Sequence, residues 1–397
     1  MKETILRENV VKRGPTGEYK TIKTGDETFR VFIPFPLPPK PPLEIVPKLR
    51  ELHDQALLSL GRLDSVTTLL LDTDLFLYMY VRREAVLSSQ IEGTQSTLSD
   101  LLLFELKEAP GVPLDDVREV SHYVVAMEYG LKRMTNGFPL SNRLLREIHE
   151  TLLGKGSRGK EKQPGEFRKT QNWIQGTKLG NALFVAPLAE YVQPLMSDLE
   201  KYIHDRPEKT PVLIKAALAH LQFETIHPFL DGNGRIGRML ITLILCNEKV
   251  LREPLLYLSL YLKQHRTHYF DLLMRVRNEG DWEAWLEFFF AGIREMADGA
   301  VTTAMNLSKI AEEDRSQIHL LKRKAGSALR IHQSLQKRPL ASIHSLAKET
   351  KLTVPTVTAA ISALQKIGIV KEITGRRRNR FFSYRKYMDI LMRGTEV

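Results

Sequence analysis

Chemistry gathers in twelve consecutive residues: His227, Pro228, Phe229, Leu230, Asp231, Gly232, Asn233, Gly234, Arg235, Ile236, Gly237 and Arg238. His227 is the one side chain of the run able to take a proton near neutral pH. Asp231 offers a hard oxygen of the kind Mg²⁺ takes when it accompanies phosphates. Gly232, Asn233 and Gly234 are small, so backbone N–H groups there can converge on an anion, and the start of a following helix adds favourable potential. Arg235 and Arg238 stand three apart, on one side of that helix's first turn. Two guanidiniums at a helix N-terminus repel each other and oppose its dipole; a polyphosphate gripped bidentately would cancel that cost. The chemistry implied is removal of a proton beside a bound polyphosphate.

The elements that position these residues can be read on either side. Thr210-Pro211 is a helix start, and Val212 through Thr225 reads as a helix with Ile214, Ala217, Leu218 and Leu221 on one face, breaking at His227-Pro228. A second helix follows, with Ile236, Met239, Leu240, Leu243 and Ile244 at buried-face spacing. Gly232-x-Gly234-x-x-Gly237 formally matches a dinucleotide fingerprint, but that motif must follow a strand, and here a helix precedes it. No Lys-Ser/Thr follows the last glycine, which excludes a Walker A loop. Upstream, Gln171–Ile174 and Ala182–Val185 flank a turn-like Thr177–Asn181 and predict a β-hairpin, the one clear strand signal of the first 300 residues.

The run HPFLDGNGRIGR resembles the signature of the Fic family in full. The resemblance implies a mainly α-helical core with a small β-hairpin flap, and transfer of AMP from ATP to a Ser, Thr or Tyr hydroxyl of a target protein or of the chain itself. His227 would be the catalytic base and Asp231 the Mg²⁺ ligand. Gly232, Asn233, Gly234 and Gly237 would belong to the ATP site, with Arg235 on the α/β-phosphates and Arg238 on the γ-phosphate. Kinase-like relatives carry lysine where this chain has Gly234, which argues for nucleotidyl transfer. The hairpin Asn172–Pro187 resembles the family's flap, with Val185 and Ala186 approaching the adenine; Tyr269 and Asn278 resemble its adenine-side elements. The likeness spans roughly residues 30–300.

A stretch without Gly or Pro from about Thr73 ends in Ser88-Ser89-Gln90-Ile91-Glu92-Gly93. Ser88 and Glu92, four apart on a helix, share one face. The segment resembles the inhibitory motif of the Fic class that carries its inhibitor N-terminal to the core. By that resemblance Glu92 pairs with Arg238 and takes the place of the γ-phosphate; in some relatives the same glutamate supports removal of AMP.

Residues 321–397 hold 17 Lys/Arg against 4 Asp/Glu, and the preceding 320 residues hold 41 against 43, so the net charge of +11 is a property of the tail. The tail reads as a winged helix-turn-helix. Ser342–Thr350 is a short helix and Thr353–Lys366 the recognition helix, with Val354, Val357, Ile361 and Leu364 buried. Ile369–Ile373 and Arg380–Tyr384 are strands around a wing, Gly375–Asn379. Thr356, Thr358, Arg376, Arg377 and Arg378 are its candidate DNA contacts. Such folds also serve as protein-interaction modules.

The expected organisation is an N-terminal arm and helical region (1–110), a catalytic core (111–300), a connecting helix (301–325) and the winged domain (326–397). Pro34, Pro36, Pro38, Pro39, Pro41 and Pro42 make Phe32–Leu43 an extended arm. The longest apolar runs are too short to span a bilayer, and the first residues lack the pattern of a secretion signal. Cys246, the single cysteine, reads as a buried structural thiol. The expected partners are ATP, a hydroxyl-bearing protein, DNA through the tail and a second copy of the chain, in a cytoplasmic setting without a membrane. A DNA-binding regulator whose core senses nucleotide, and transfer from a different phosphate-containing donor, are the competing readings.

Overall fold

The structure, a computed structural model, describes residues 13–25, 27–69, 73–107, 113–154 and 162–396, without the side chains of 67–69 and 73–75. The Gly- and Lys-rich stretch after Gly154 lies largely outside those residues. The chain divides into two compact units. One comprises Met1–Leu60, His122–Arg252 and Tyr261–Glu295, and the other Gly61–Ser121, Glu253–Leu260 and Met296–Val397.

In chain order the elements begin with strands β1 (Gly17–Thr24) and β2 (Glu27–Pro34), then helices α1 (Pro47–Leu69), α2 (Thr73–Ile91), α3 (Leu98–Glu105), α4 (Leu114–Thr135) and α5 (Asn142–Leu153). Short strands β3 (Trp173–Ile174) and β4 (Phe184–Val185) follow, then α6 (Ala189–Ile203), α7 (Val212–Ile226), α8 (Asn233–Asn247), α9 (Ser259–Gln264), α10 (Arg266–Glu279) and α11 (Trp282–His319). The tail holds α12 (Ala325–Lys337), β5 (Leu340–Ser342), α13 (Ile343–Thr350), α14 (Val354–Lys366), β6 (Val370–Glu372), β7 (Phe381–Tyr384) and α15 (Arg385–Leu391).

The first unit is built around α7. Every residue of that helix from Leu213 to Ile226 is buried, so the helix is enclosed on all sides. Against it lies α8, whose Ile236, Met239, Leu240, Leu243 and Ile244 are at most 1% exposed, the face that the sequence spacing marks. Contact is close at Gly237, where a Cβ would collide with the Glu224 carboxylate. A larger residue there would force the Glu224 carboxylate to move.

The flap is the hairpin β3–β4, in register Trp173↔Val185 and Ile174↔Phe184. It is not the only strand pair of the first 300 residues. β1 and β2 form an antiparallel ribbon from Gly17↔Pro34 to Thr24↔Glu27. The proline run that begins at Pro34 disguises the end of β2 as part of the arm. This ribbon backs the flap: Phe29 and Val31 pack with Val185, and Phe32 packs with Phe184 and Ala186.

In the second unit the tail is a winged helix-turn-helix. Ser342 caps α13 in a capping box, Thr353 caps α14 with proline in its first turn, and the sheet order β5-β7-β6 closes the domain. Strand β5, three residues long, has no sequence signal. Val354, expected on the buried face of α14, is 43% exposed, because that face begins a turn later at Val357. Residues 301–319 are the distal part of the single long helix α11 rather than a separate connector. Cys246, in the last turn of α8, is only half-buried.

Candidate active site

The site forms where α7 ends and α8 begins. His227 is the C-cap of α7, in the left-handed conformation (φ 51°, ψ 59°), and its N–H donates to the Phe223 carbonyl at 2.9 Å. A non-glycine residue there carries backbone strain, so something must hold it. The holder is Arg168, only 2% exposed. Its Nε donates to the His227 carbonyl at 2.8 Å, Nη1 to Thr170 at 3.1 Å, and Nη2 to Pro187 at 2.5 Å and Ile226 at 3.4 Å. Its own backbone N–H reaches the Pro228 carbonyl at 2.9 Å. Burial lowers its pKa to about 10, which leaves the guanidinium charged at neutral pH.

A second buried cation completes the end of α7. Arg277, on α10, donates from Nη2 to the Glu224 carbonyl at 3.2 Å and from Nε to Thr225 Oγ1 at 3.1 Å. Its guanidinium lies 3.9 Å from the centroid of the Phe184 ring, in the flap. The last carbonyls of a helix lack internal partners and carry partial negative charge, so two guanidiniums satisfy both needs.

The loop beyond His227 is braced from within. Asn233 is 2% exposed, and its side-chain amide closes on one peptide: Oδ1 accepts from Phe229 N–H and Nδ2 donates to Phe229 O, both at 2.8 Å. That side chain is therefore committed to the loop, and Asn233 offers an anion its backbone N–H. Gly232 adopts φ 76° as the N-cap of α8. The Asp231 carboxylate is half-exposed; Oδ1 accepts from the Gly232 N–H at 2.5 Å and lies 3.4 Å from Arg235 Nη2. Arg235 and Arg238 are 5% and 3% exposed on the first turns of α8.

Two buried histidines fix this frame from behind. His149, on α5, accepts the Gly165 N–H at Nδ1 (2.9 Å), so Nε2 carries the proton it donates to the Asp231 carbonyl at 3.1 Å. Its ring stacks on Phe229 at 3.8 Å, and burial lowers its pKa to about 4, which keeps it neutral. His220, on α7, donates from Nδ1 to the Gly237 carbonyl at 2.8 Å and accepts at Nε2 from the Tyr269 hydroxyl at 2.9 Å; burial lowers its pKa to about 3. Tyr269 is thus 1% exposed and commits its hydroxyl to the core.

Asn278 is exposed and accepts from the Tyr19 hydroxyl at 2.6 Å, so β1 reaches the same region. Val185 and Ala186 are buried against β2. Asn172 ties the flap to the loop through Nδ2 and the Phe229 carbonyl at 3.0 Å. In the other unit, Ser88 is fully buried near the end of α2 and Glu92 is exposed just past it.

Sequence reasoning missed Arg168, His149 and Arg277. For His149 a signal existed: it sits on the apolar stripe of α5 among Leu145, Ile148 and Leu152, where a polar residue needs buried partners. Arg168 lies in a loop with no periodicity to expose it.

In the tail, Arg376, Arg377 and Arg378 are exposed on the wing, whose turn is held by Glu372 accepting from the N–H groups of Thr374 (2.8 Å) and Gly375 (3.1 Å). Thr358 is exposed with its hydroxyl bonded back to Val354 O at 2.8 Å, and Thr356 is half-buried, sharing a hydrogen bond with Thr353.

Three family models match the chain: Fic/DOC family N-terminal over residues 50–132, Fic/DOC family over 139–245, and winged helix-turn-helix DNA-binding over 327–371. Protein adenylyltransferase Fic of Culex quinquefasciatus is 31% identical over 202 residues, 50% of this chain and 37% of that protein. The protein of the same name from Drosophila grimshawi is 29% identical over 202 residues, 50% of this chain and 38% of its own. The matching region thus spans little more than a third of these relatives. A Fic family protein from Desulfovibrio desulfuricans G20 shares the fold, with TM-score 0.56 and 21% identity over 87% of this chain and 98% of its own.

Proposed function

We propose that this chain, which carries a Fic/DOC core and a winged helix-turn-helix domain, transfers AMP from ATP to a protein hydroxyl. The observation that carries the reading is the junction of α7 and α8. A histidine held by backbone clamps precedes a loop of small residues, and two buried arginines open the next helix. His227 accepts the proton of the target hydroxyl. The freed oxygen attacks the α-phosphorus, a P–O bond forms, and the bond to the β-phosphate bridging oxygen breaks to release pyrophosphate. Backbone N–H groups from Gly232 to Gly234 and the Arg235 guanidinium hold the phosphates, with Arg238 on the γ-phosphate. Val185, Ala186, Tyr269 and Asn278 border the adenine side, Tyr269 through the frame it holds with His220.

Asp231 fits Mg²⁺. Its carboxylate is half-exposed, and Oδ2 has no hydrogen bond among the described residues. No group of three or more acidic, His or Cys side chains suited to a metal occurs among the described residues, so the ion would complete its shell with phosphate oxygens and water, as Mg²⁺ prefers. When bound, it neutralises charge on the leaving pyrophosphate.

A brake at Glu92, competing with the γ-phosphate for Arg238, is part of this proposal, by the likeness of Ser88–Gly93 to the inhibitory motif of the family. The exposed wing cations support duplex DNA as a partner of the tail. No described helix is long and apolar enough to cross a membrane.

Incubation of the chain and its Glu92→Gly variant with α-labelled and, separately, γ-labelled ATP tests the reading. Label should pass to protein from the α position alone, and His227→Ala should abolish it while ATP still binds. Label arriving only from γ would make the chain a kinase.

A further inference from the structure

We propose that Arg168, with Asn172 as its outer companion, is a positioning residue that sets the base and the flap as one unit; this rests on the adenylyl-transfer reading. All four of its side-chain acceptors are main-chain carbonyls, on three stretches of chain that meet nowhere else in sequence. Ile226 and His227 are the end of α7, Thr170 lies on the way into β3, and Pro187 follows β4. The backbone N–H of Arg168 adds the Pro228 carbonyl, so the residue grips the carbonyls of Ile226, His227 and Pro228 in succession. Asn172 extends the same clamp to the Phe229 carbonyl.

Burying a guanidinium is costly, and among the described residues no carboxylate offsets it at Arg168, where the pKa falls through burial. The return is geometric: a planar fork with five N–H donors meets several carbonyls at fixed angles, which a lysine ammonium cannot do. The flap would align the target backbone and His227 would take the proton from that target's hydroxyl. The two must therefore be registered to within about 1 Å, since a misplacement of that size costs on the order of 100-fold in rate. Arg168 supplies the register because the same guanidinium holds the flap's entry, the flap's exit and the base. Its side chain is buried and spends its hydrogen bonds on main-chain carbonyls, so its loss should spare nucleotide affinity.

The test uses the full chain carrying Glu92→Gly, with Arg168→Lys and Asn172→Ala added separately. ATP dissociation constants, kcat, KM for ATP and backbone hydrogen exchange are measured for each. Arg168→Lys should lower kcat roughly 10–100-fold with the ATP dissociation constant and KM within about twofold of the parent. Asn172→Ala should do the same to a smaller degree. Exchange at the His227 amide and across residues 170–187 should speed up in Arg168→Lys, a readout that holds even if the parent transfers nothing. An inactive parent with faster exchange in the variant would refute the transfer reading and leave the clamp standing. A parental kcat in both variants, or a fall in kcat matched by an equal loss of folded protein or of ATP affinity, overturns the proposal. If Arg168→Lys does not fold, unchanged kcat and exchange in Asn172→Ala overturns it alone.

Discussion

His149 holds Asp231 by its backbone: Nε2 lies 3.1 Å from the Asp231 carbonyl, 82 residues away in sequence, while Nδ1 accepts the Gly165 N–H. The acceptor at Nδ1 forces the proton onto Nε2, so one neutral tautomer joins α5, the loop before the flap and the loop that opens α8. His149→Phe would keep the stacking on Phe229 but leave the buried Gly165 N–H and the partly buried Asp231 carbonyl without this partner. A buried orphan such as the N–H costs about 1–3 kcal/mol. The variant should melt several degrees lower and need more Mg²⁺ for half-maximal transfer, because the Asp231 carboxylate loses its anchor. Parental Mg²⁺ dependence in a folded variant would separate His149 from the metal.

Acid should destabilise the fold through three buried histidines. Burial lowers His149 to about 4, His220 to about 3 and His332 to about 4, all below the ordinary 6.5. Between those values and 6.5 the unfolded chain binds more protons than the folded one, so stability rises with pH across that window and falls as pH drops through it. Above pH 7 these groups add no slope. Chemical denaturation midpoints should therefore decline from about pH 6.5 toward pH 4, and His332→Gln should flatten part of the decline. A flat profile in the parent from pH 7 to 4.5 would count against neutral burial of all three.

The sequence exposed the chemistry because that chemistry is local. His227, Asp231, the glycines and both arginines fall in one run, and helical periodicity on each side places them between α7 and α8. It hid what holds them, because the holding is long-range. Arg168 and His149 act on carbonyls 58–82 residues away; Arg168 has no periodicity to expose it, and the apolar stripe around His149 says that the ring needs buried partners but not which ones. The β1–β2 ribbon was hidden differently: its strands run into a proline-rich arm, and only the packing of Phe32 on Phe184 reveals why it forms. In the tail, helix caps and turn residues carried nearly the whole domain, while three-residue β5 needed its partner β7 to exist.

Wing substitution is a cleaner test of DNA binding than removal of the tail. The Arg393 carbonyl accepts from Arg83 at 3.0 Å and the Thr395 carbonyl from Gln90 at 2.9 Å, so truncation would strip partners from α2. Replacing Arg376, Arg377 and Arg378 with Ala leaves those bonds intact. If all three meet phosphates, the slope of log affinity against log salt should fall in magnitude by about 2.7, at ~0.9 per phosphate contact. Fluorescence anisotropy on duplex DNA over a salt series measures it. An unchanged slope would place the contact elsewhere or make the domain a protein-binding module.

The brake gives the sharpest prediction. Ser88 is buried in the last turn of α2, and Glu92, whose N–H donates to the Ser89 carbonyl at 3.1 Å, stands exposed where the helix stops before Gly93 at φ 101°. Arg238, on α8, is 3% exposed. One guanidinium cannot make bidentate contacts to a carboxylate and to a phosphate at once, so under the proposed brake the Glu92 carboxylate would compete with the γ-phosphate. Removing the carboxylate favours the ATP pose in which the α-phosphorus faces the incoming hydroxyl. Glu92→Gly should therefore raise transfer, self-modification included, by about tenfold or more, which corresponds to roughly 1.4 kcal/mol of lost competition. Adding Arg238→Ala should erase the gain, since under the proposed brake both changes act through one interaction and cannot be additive. Glu92→Asp, which keeps the charge on a shorter stem, should fall between parent and glycine variant. If Glu92→Gly leaves the rate unchanged, or if its gain survives the loss of Arg238, then Glu92 serves only as the end of α2 and the competition does not exist.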